Sequence, residues 1–322
     1  MGVIGKLATM CAAIGGFVLL VAVVLFVAGK LGGRREGSRV GWLFVAPTLG
    51  GLALAVVYPA LRTAYESLFD AGGAHFVGLD NYVRILTAPD QLVVLRNTAV
   101  WVLLAPAAAT AIGLVYAVLV DRARFEAVAK SLIFLPMSIS FVGASIIWKF
   151  VYEYRPDQPG VQQIGLLNQL VVWLGGTPQQ WLLGAPANTF FLIVVMVWIQ
   201  AGFAMTVLSA AIKAIPTDIV EGARLDGASG FALFRYITLP SIRSSLVVVL
   251  TTVALWTLKV FDIVRTMTGG QFQTSVVANE FYTQTFRVGD QGLGSGLAVL
   301  LFLLVLPIVL YNVRQMRRVE TR

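Results

Sequence analysis

Few residues in this chain can carry reaction chemistry. One histidine, His75, and one cysteine, Cys11, stand in 322 residues, so neither a disulfide nor a Cys/His metal cluster can form within it. A phosphate-binding loop would read G-x-x-x-x-G-K-[ST]. Gly29-Lys30 lacks both the upstream glycine and the following Ser or Thr. No HExxH string occurs, and there is no histidine in the apolar segments to activate a serine. The remaining chemistry is recognition by polar side chains set in apolar surroundings. Gln200 interrupts V-M-V-W-I-Q-A-G-F-A-M-T, with Trp198, Phe203 and Thr206 close by. Thr251, Thr252, Trp256, Lys259 and Asp262 interrupt a later apolar run. Such positions are costly in a membrane and mark candidate functional sites. Two other readings stay open. Gln200 bridges helices, or Lys259 and Asp262, three apart on one helix face, neutralise each other.

The elements that must position these residues are membrane helices. The chain is 58% hydrophobic and 12% charged, with a mean hydropathy of +0.82; a soluble domain carries about twice that charge. Seven apolar stretches reach the ~20 residues that a bilayer core requires, at roughly 8–29, 41–64, 97–120, 131–151, 188–212, 244–264 and 294–313. A membrane β-barrel would show short alternating segments instead. The fold class is therefore all-α, a polytopic membrane helix bundle.

The net charge of +8 is read as orientation and not as nucleic-acid binding. Lys30, Arg34, Arg35 and Arg39, then Arg122, Arg124 and Lys130, then Lys213, Arg224, Arg235 and Arg243, and finally Arg314, Arg317, Arg318 and Arg322 fall in alternate loops. Alternate loops share one side, and the positive-inside rule makes that side cytoplasmic. The N-terminus is then outside and the C-terminus inside, as an odd number of spans requires. Anionic lipid headgroups are the expected partner of this basic excess.

Residues 1–29 carry Lys6 before an apolar run, but the basic cluster Lys30–Arg39 follows the run. That order suits a membrane anchor better than a signal peptide. Residues 1–40 are read as an extra N-terminal helix with a glycine-containing linker, and 41–322 as the core. The outside loops span 65–96, 152–187 and 265–293. In the first, Asp80 is expected to cap an interfacial helix bearing Tyr82. In the second, Trp173 and Trp181 are expected as interface anchors. Thr268, Gly269, Gly270 and Gln271 open the third as a turn.

A polar stretch, E-G-A-R-L-D-G-A-S-G-F-A-L-F-R-Y-I-T-L-P, runs over Glu221–Pro240 inside the cytoplasmic segment 214–240. Pro216 turns the chain. Asp218 is expected to cap a helix over Ile219–Leu225, with Glu221 as its reciprocal partner. Asp226-Gly227 stops that helix. Ser229 is expected to cap a second short helix ending near Thr238, with Leu239-Pro240 opening the next span. Ala223, Gly227 and Ala228 are small enough for close approach by another surface, and Glu221, Arg224 and Asp226 supply charge for pairing across it.

This stretch resembles the EAA loop of the membrane subunits of ATP-binding-cassette importers. There, Glu-Ala-Ala is followed three residues on by Gly, and after nine more by Ile-x-Leu-Pro; Glu221, Ala223, Gly227, Ile237, Leu239 and Pro240 fall in register. Gly222 stands where the family has its middle Ala. The resemblance implies a six-helix type I importer core in the plasma (inner) membrane. It implies that Glu221, Ala223, Arg224, Asp226, Gly227 and Ala228 form the joint with an ATPase. It also implies a second permease subunit, two ATPase subunits that bind ATP and Mg, an extracytoplasmic substrate-binding protein, and no cofactor or enzymatic activity in this chain. The resemblance further implies alternating access, in which ATP closes the paired ATPases, the coupling helices move inward, and the cavity opens outward.

F-V-G-L-D-N-Y-V-R-I-L (Phe76–Leu86) and W-T-L-K-V-F-D-I-V-R-T-M-T-G-G (Trp256–Gly270) are similar to segments of carbohydrate permeases. By that resemblance Ile199, Gln200, Phe203, Trp256, Lys259, Phe261 and Asp262 are substrate-pathway candidates. Sugar hydroxyls need paired donors and acceptors, as Gln200 and Asp262 supply, and pyranose faces stack on aromatic rings. The expected cargo is an α-glucoside or another di- or oligosaccharide. A glycerol-phosphate permease is the alternative within the class, kept open by Lys259 and Arg265. Outside the class, an ion-coupled secondary transporter needs coupling groups near midplane, and a non-transporting scaffold has no use for these polar positions.

Overall fold

Apolar runs without water to satisfy their backbone must close their own hydrogen bonds, so they form helices. The computed structural model describes residues 37–121, 123–156, 158 and 160–320, with Gly16 and Phe26. The expected first span at 8–29 and residues 30–36 of the linker lie outside the described residues, Gly16 and Phe26 excepted, while residues 37–40, expected as linker, are already helical as the start of α1. The chain divides into two compact units, Met1–Tyr65 and Glu66–Arg322. In the first, α1 (Gly37–Leu52) passes through a π-helical turn at Ala53–Val57 into α2 (Tyr58–Glu66). This run contains one apolar span, Val45–Glu66.

The second unit holds α3 (Asp80–Thr87), α4 (Pro89–Val120), α5 (Glu126–Phe134), α6 (Phe141–Val151), α7 (Leu166–Trp173) and α8 (Ala187–Lys213). After these come α9 (Thr217–Leu225), α10 (Gly230–Leu233), α11 (Leu239–Ser241), α12 (Arg243–Leu258), α13 (Asp262–Met267), α14 (Val277–Thr283) and α15 (Gln291–Glu320). Among the described residues four helical stretches are long and apolar enough to cross a bilayer: Val45–Glu66, Pro89–Val120, Ala187–Lys213 and Gln291–Gln315. Two bent pairs raise the number to six. The only β-pairing among the described residues is an isolated bridge between Phe69 and Phe76.

Two expected spans are not single helices. The stretch 131–151 breaks into Glu126–Ser138 and Phe141–Val151, bent by 103°. Pro136 sits in a 3-10 turn, Leu135–Ser138, where it removes a backbone donor. Ser140 then starts α6 as a true cap, its Oγ accepting from the Gly143 N–H at 3.1 Å. The stretch 244–264 ends at Leu258. Its last turn tightens, with the Lys259 and Val260 N–H groups reaching back three residues to Trp256 and Thr257. A new helix opens at Asp262, whose carboxylate suits a helix start.

The centre of the second unit is the crossing of α4 and α8. A Cβ on Gly113 would lie 2.6 Å from the Met205 backbone nitrogen, and one on Gly202 would lie 2.5 Å from the Ile133 carbonyl oxygen. Glycine at both places lets backbones meet, as membrane helix interfaces favour. Trp101, Leu192, Met196, Met205 and Leu208 are fully buried around this crossing.

Polar contacts group by end of the bundle. Asp121 and Lys130 meet Ser209 and Lys213. Separately, Arg84 pairs with Asp290 at 3.0 Å, and Asn97 donates to the Gln273 carbonyl at 2.6 Å. The residue 121–130 loop and the start of the 214–240 segment therefore share one end, as the charge pattern required. Asp80 is the first residue of α3 and not its cap; Leu79 holds that place, with no side-chain capping bond.

Candidate functional site: a coupling loop and a cavity at a helix break

In the 214–240 segment the exposed helix α9 begins after Pro216, so Asp218 lies inside its first turn and does not cap it. The expected Asp218–Glu221 capping box is therefore absent, because Pro216 already sets the chain at the N-cap position. The stop is as expected. Gly227 takes φ +87°. The Ala228 N–H reaches the Ala223 carbonyl at 2.9 Å, and the Gly227 N–H reaches Arg224 at 3.0 Å. This paired closure satisfies the last carbonyls of α9. Ser229 occupies the next N-cap position without a side-chain bond. The second arm continues through a π-helical turn, Phe234–Thr238, and α11 to Ser241, past the expected stop at Leu239-Pro240. Pro240 is tolerated there because it lies in the first turn of α11. The bend into α12, 69°, falls at Ile242.

Glu221, Arg224 and Asp226 are exposed, while Ala223 and Ala228 are half-buried beside the turn. Leu225 (89%), Phe231 (76%) and Tyr236 (73%) present large apolar or aromatic surface to their surroundings. A helix of this length does not hold itself in water, and apolar side chains this open on a polar loop fit a surface that another protein covers.

Inside the bundle, the break between α12 and α13 opens a cavity of about 200 Å3. Trp256, Lys259, Phe261 and Asp262 line it, with Phe141, Met196, Val260 and Ile263. Four of the seven expected pathway residues thus meet in one place. Lys259 and Asp262 lie on either side of the break and not on one helix face, and no ion pair joins them. Their charges are left for the cavity. Phe203 reaches it through Trp256, whose ring it meets edge-on at 5.0 Å. Ile199 is core and does not line the cavity. Gln200 is also buried, 3% exposed, and its Oε1 has no hydrogen-bond partner.

The sequence reading passed over Phe141 and Met196, and also Tyr282, which stacks at 5.0 Å on Phe261 and at 4.8 Å under the Arg265 guanidinium. Phe141 had a visible signal: Pro136 followed by a Ser140 cap marks a helix restart. The far side of α13 is held by a strained turn. Phe272 and Gln273 have φ of 55° and 59°. Buried Asn97 and Asn188 donate to the carbonyls of Gln273, Ser275 and Phe272. These bonds hold a conformation that non-glycine residues rarely adopt.

A bundle of apolar helices with an exposed helix–turn–helix at one end and a cavity at an internal helix break is a solute-translocating membrane domain. The chain belongs to the family of binding-protein-dependent transport system inner membrane components, whose family model matches residues 109–320. Among curated relatives it is 48% identical to the osmoprotective compounds uptake permease protein GgtC of Synechocystis sp. over 278 residues, 86% of this chain and 99% of that one. It is 47% identical to the alpha-glucoside transport system permease protein AglF of Rhizobium meliloti over 286 residues, 88% and 84% of the two chains. Among solved structures, a bacterial ABC transporter that imports the acidic polysaccharide alginate superposes with a TM-score of 0.73 at 20% identity, covering 88% of this chain and 96% of that one. That likeness supports the type I importer fold.

Proposed function

We propose that this chain is a permease subunit of an ATP-driven importer that carries an α-glucosidic sugar across the inner membrane. The observation that carries the sugar assignment is the near-half identity to an alpha-glucoside permease over most of both chains. The cavity supports it, with aromatic faces from Phe141, Trp256 and Phe261 beside Lys259 and Asp262. Rings supply stacking surface for a pyranose, and the unpaired Lys259 ammonium and Asp262 carboxylate bind hydroxyls as donor and acceptor. A carboxylate in the same cavity disfavours a glycerol phosphate, and Arg265 is engaged on Tyr282 instead. The volume lies below the roughly 300–1,000 Å3 of a full ligand site, so this chain contributes part of a pathway completed by a second permease subunit.

Energy enters at the other end. Two ATPase subunits hold ATP and Mg, and this chain holds no cofactor. Glu221, Ala223, Arg224, Asp226, Gly227 and Ala228 form the joint, with Leu225 and Phe231 as its apolar contacts. An extracytoplasmic binding protein delivers the sugar to the outer loops. The C-terminus lies in the cytoplasm and the N-terminus outside, by the positive-inside pattern.

The test is purification of the tagged chain in mild detergent, with reconstitution of whatever co-purifies. Uptake of radiolabelled maltose, trehalose, sucrose and glucosylglycerol is then measured with and without ATP. ATP-dependent uptake of at least one is expected. A folded, monodisperse lone chain, or uptake that follows an ion gradient without ATP, would remove the importer reading.

A further inference from the structure

We propose that Asp121, Glu126, Lys130 and Lys213 form a charge latch. It makes the start of the coupling loop and helix α5 move as one body, and so transmits loop motion to the cavity. This rests on the permease reading above and adds positioning residues to it.

Three chain segments meet here: the end of α4, the start of α5 and the end of α8. Asp121 Oδ1 accepts from Lys130 Nζ at 3.0 Å and from Ser209 Oγ at 3.1 Å, and lies 3.5 Å from Lys213 Nζ. Glu126 Oε1 accepts from Lys130 Nζ at 2.6 Å and from Lys213 Nζ. Lys130 Nζ also contacts Ser209 Oγ. Among the described residues, two acids here meet two bases. The Asp121 side chain is 8% exposed, against 22% for Lys130 and 24% for Glu126. Isolated surface pairs contribute little, but a network around a mostly buried carboxylate is less screened and leaves an unpaired charge when one member is lost.

Position gives the cluster its role. Lys213 is the last residue of α8, directly before the coupling segment. Beyond the latch, α5 runs to Phe134, the chain bends through the Leu135–Ser138 turn, and Phe141 emerges as a wall of the cavity. Along the way Gly202 brings α8 against the Ile133 carbonyl with no room for a Cβ. The two joints fix α5 to α8 at its charged start and at its apolar end. Force applied to the loop therefore reaches Phe141 through the bent span as well as through α12. Rigid transmission of this kind requires packed elements with discrete arrangements.

The experiment uses the whole complex with its partner subunits, from a parent carrying Cys11→Ser and Phe141→Cys. Maleimide labelling at 141 is timed without nucleotide and after trapping with ATP and vanadate, and ATPase is measured on the same sample. The parent labelling rate is expected to change at least about threefold on trapping. In Asp121→Asn and in Lys130→Met that change should fall below about 1.5-fold, while ATPase stays within about twofold of the parent; the double variant should be no worse than either single one. Lys130→Arg, which keeps the charge, should behave as the parent. A trapping-induced change that persists in both single variants would overturn the latch. So would loss of ATPase and assembly together with the change, which marks a purely structural role, or effects that multiply in the double variant. A parent with no associated ATPase would overturn the permease reading itself, and the latch with it.

Discussion

Gln200 is one of several residues whose chemistry is at odds with their surroundings. It is almost fully buried, and its Oε1 accepts no hydrogen bond. A buried acceptor left unpaired costs about 1–3 kcal/mol, so an apolar replacement of similar shape is tolerated. Gln200→Leu is expected to keep or slightly raise the thermal unfolding midpoint of the complex and, because Gln200 does not line the cavity, to leave the KM for sugar uptake within about twofold. A lowered midpoint with unchanged KM would assign Gln200 to helix bridging. Trp256 sits between Phe203 and the cavity. Trp256→Ala removes an aromatic pair and a stacking face, and uptake should fall at least ~10-fold. Unchanged uptake would take the cavity off the pathway.

At the scale of elements, three glycines divide by what surrounds them. Gly202→Ala would place a methyl 2.5 Å from the Ile133 oxygen and 3.0 Å from the Phe134 Cα. Those are backbone atoms that cannot swing aside, so a loss of about 1–3 kcal/mol is expected, read as a lower unfolding midpoint. Gly222 has open space around its Cβ position and lies inside α9. Gly222→Ala, which supplies the family's own residue, should slow amide exchange in α9 by ~0.5–1 kcal/mol and leave uptake intact. Gly227 also has open space, but at φ +87°. Gly227→Val strains the closure of α9 by roughly 1–2 kcal/mol, and uptake should vanish while the chain still inserts. Normal uptake in that variant would remove the loop from the coupling path.

For the molecule as a whole, the basic loops predict sidedness. A reporter fused after Arg322 should read as cytoplasmic, and an outside signal there would reverse the orientation drawn from the basic loops. The pairing of the 121–130 loop with Lys213 already requires those two loops to share an end. Four of the expected spans, 41–64, 97–120, 188–212 and 294–313, were legible because apolar run length is a local property. So was the stop at Gly227, which depends on one glycine and its neighbours. The bend at Pro136 was also written locally, as a proline followed by a Ser cap, and was hidden only by the hydropathy of the flanking residues.

What the sequence determined by itself is the class: membrane helices, their approximate ends, the absence of a nucleotide-binding loop, and the EAA-like stretch at Glu221–Pro240. These depend on composition and on spacing over a few turns, where the bilayer and the backbone impose the rules. The tertiary structure decided which polar residues meet. Lys259 and Asp262 read as one helix face until the chain broke between them. Phe141 reached the cavity from a span about 120 residues away in sequence. Asp121, Lys130 and Lys213 were scattered loop charges until the crossing of α4 and α8 brought their helix ends together. Such neighbours are set by packing between distant segments, and no local pattern records which segments will pack.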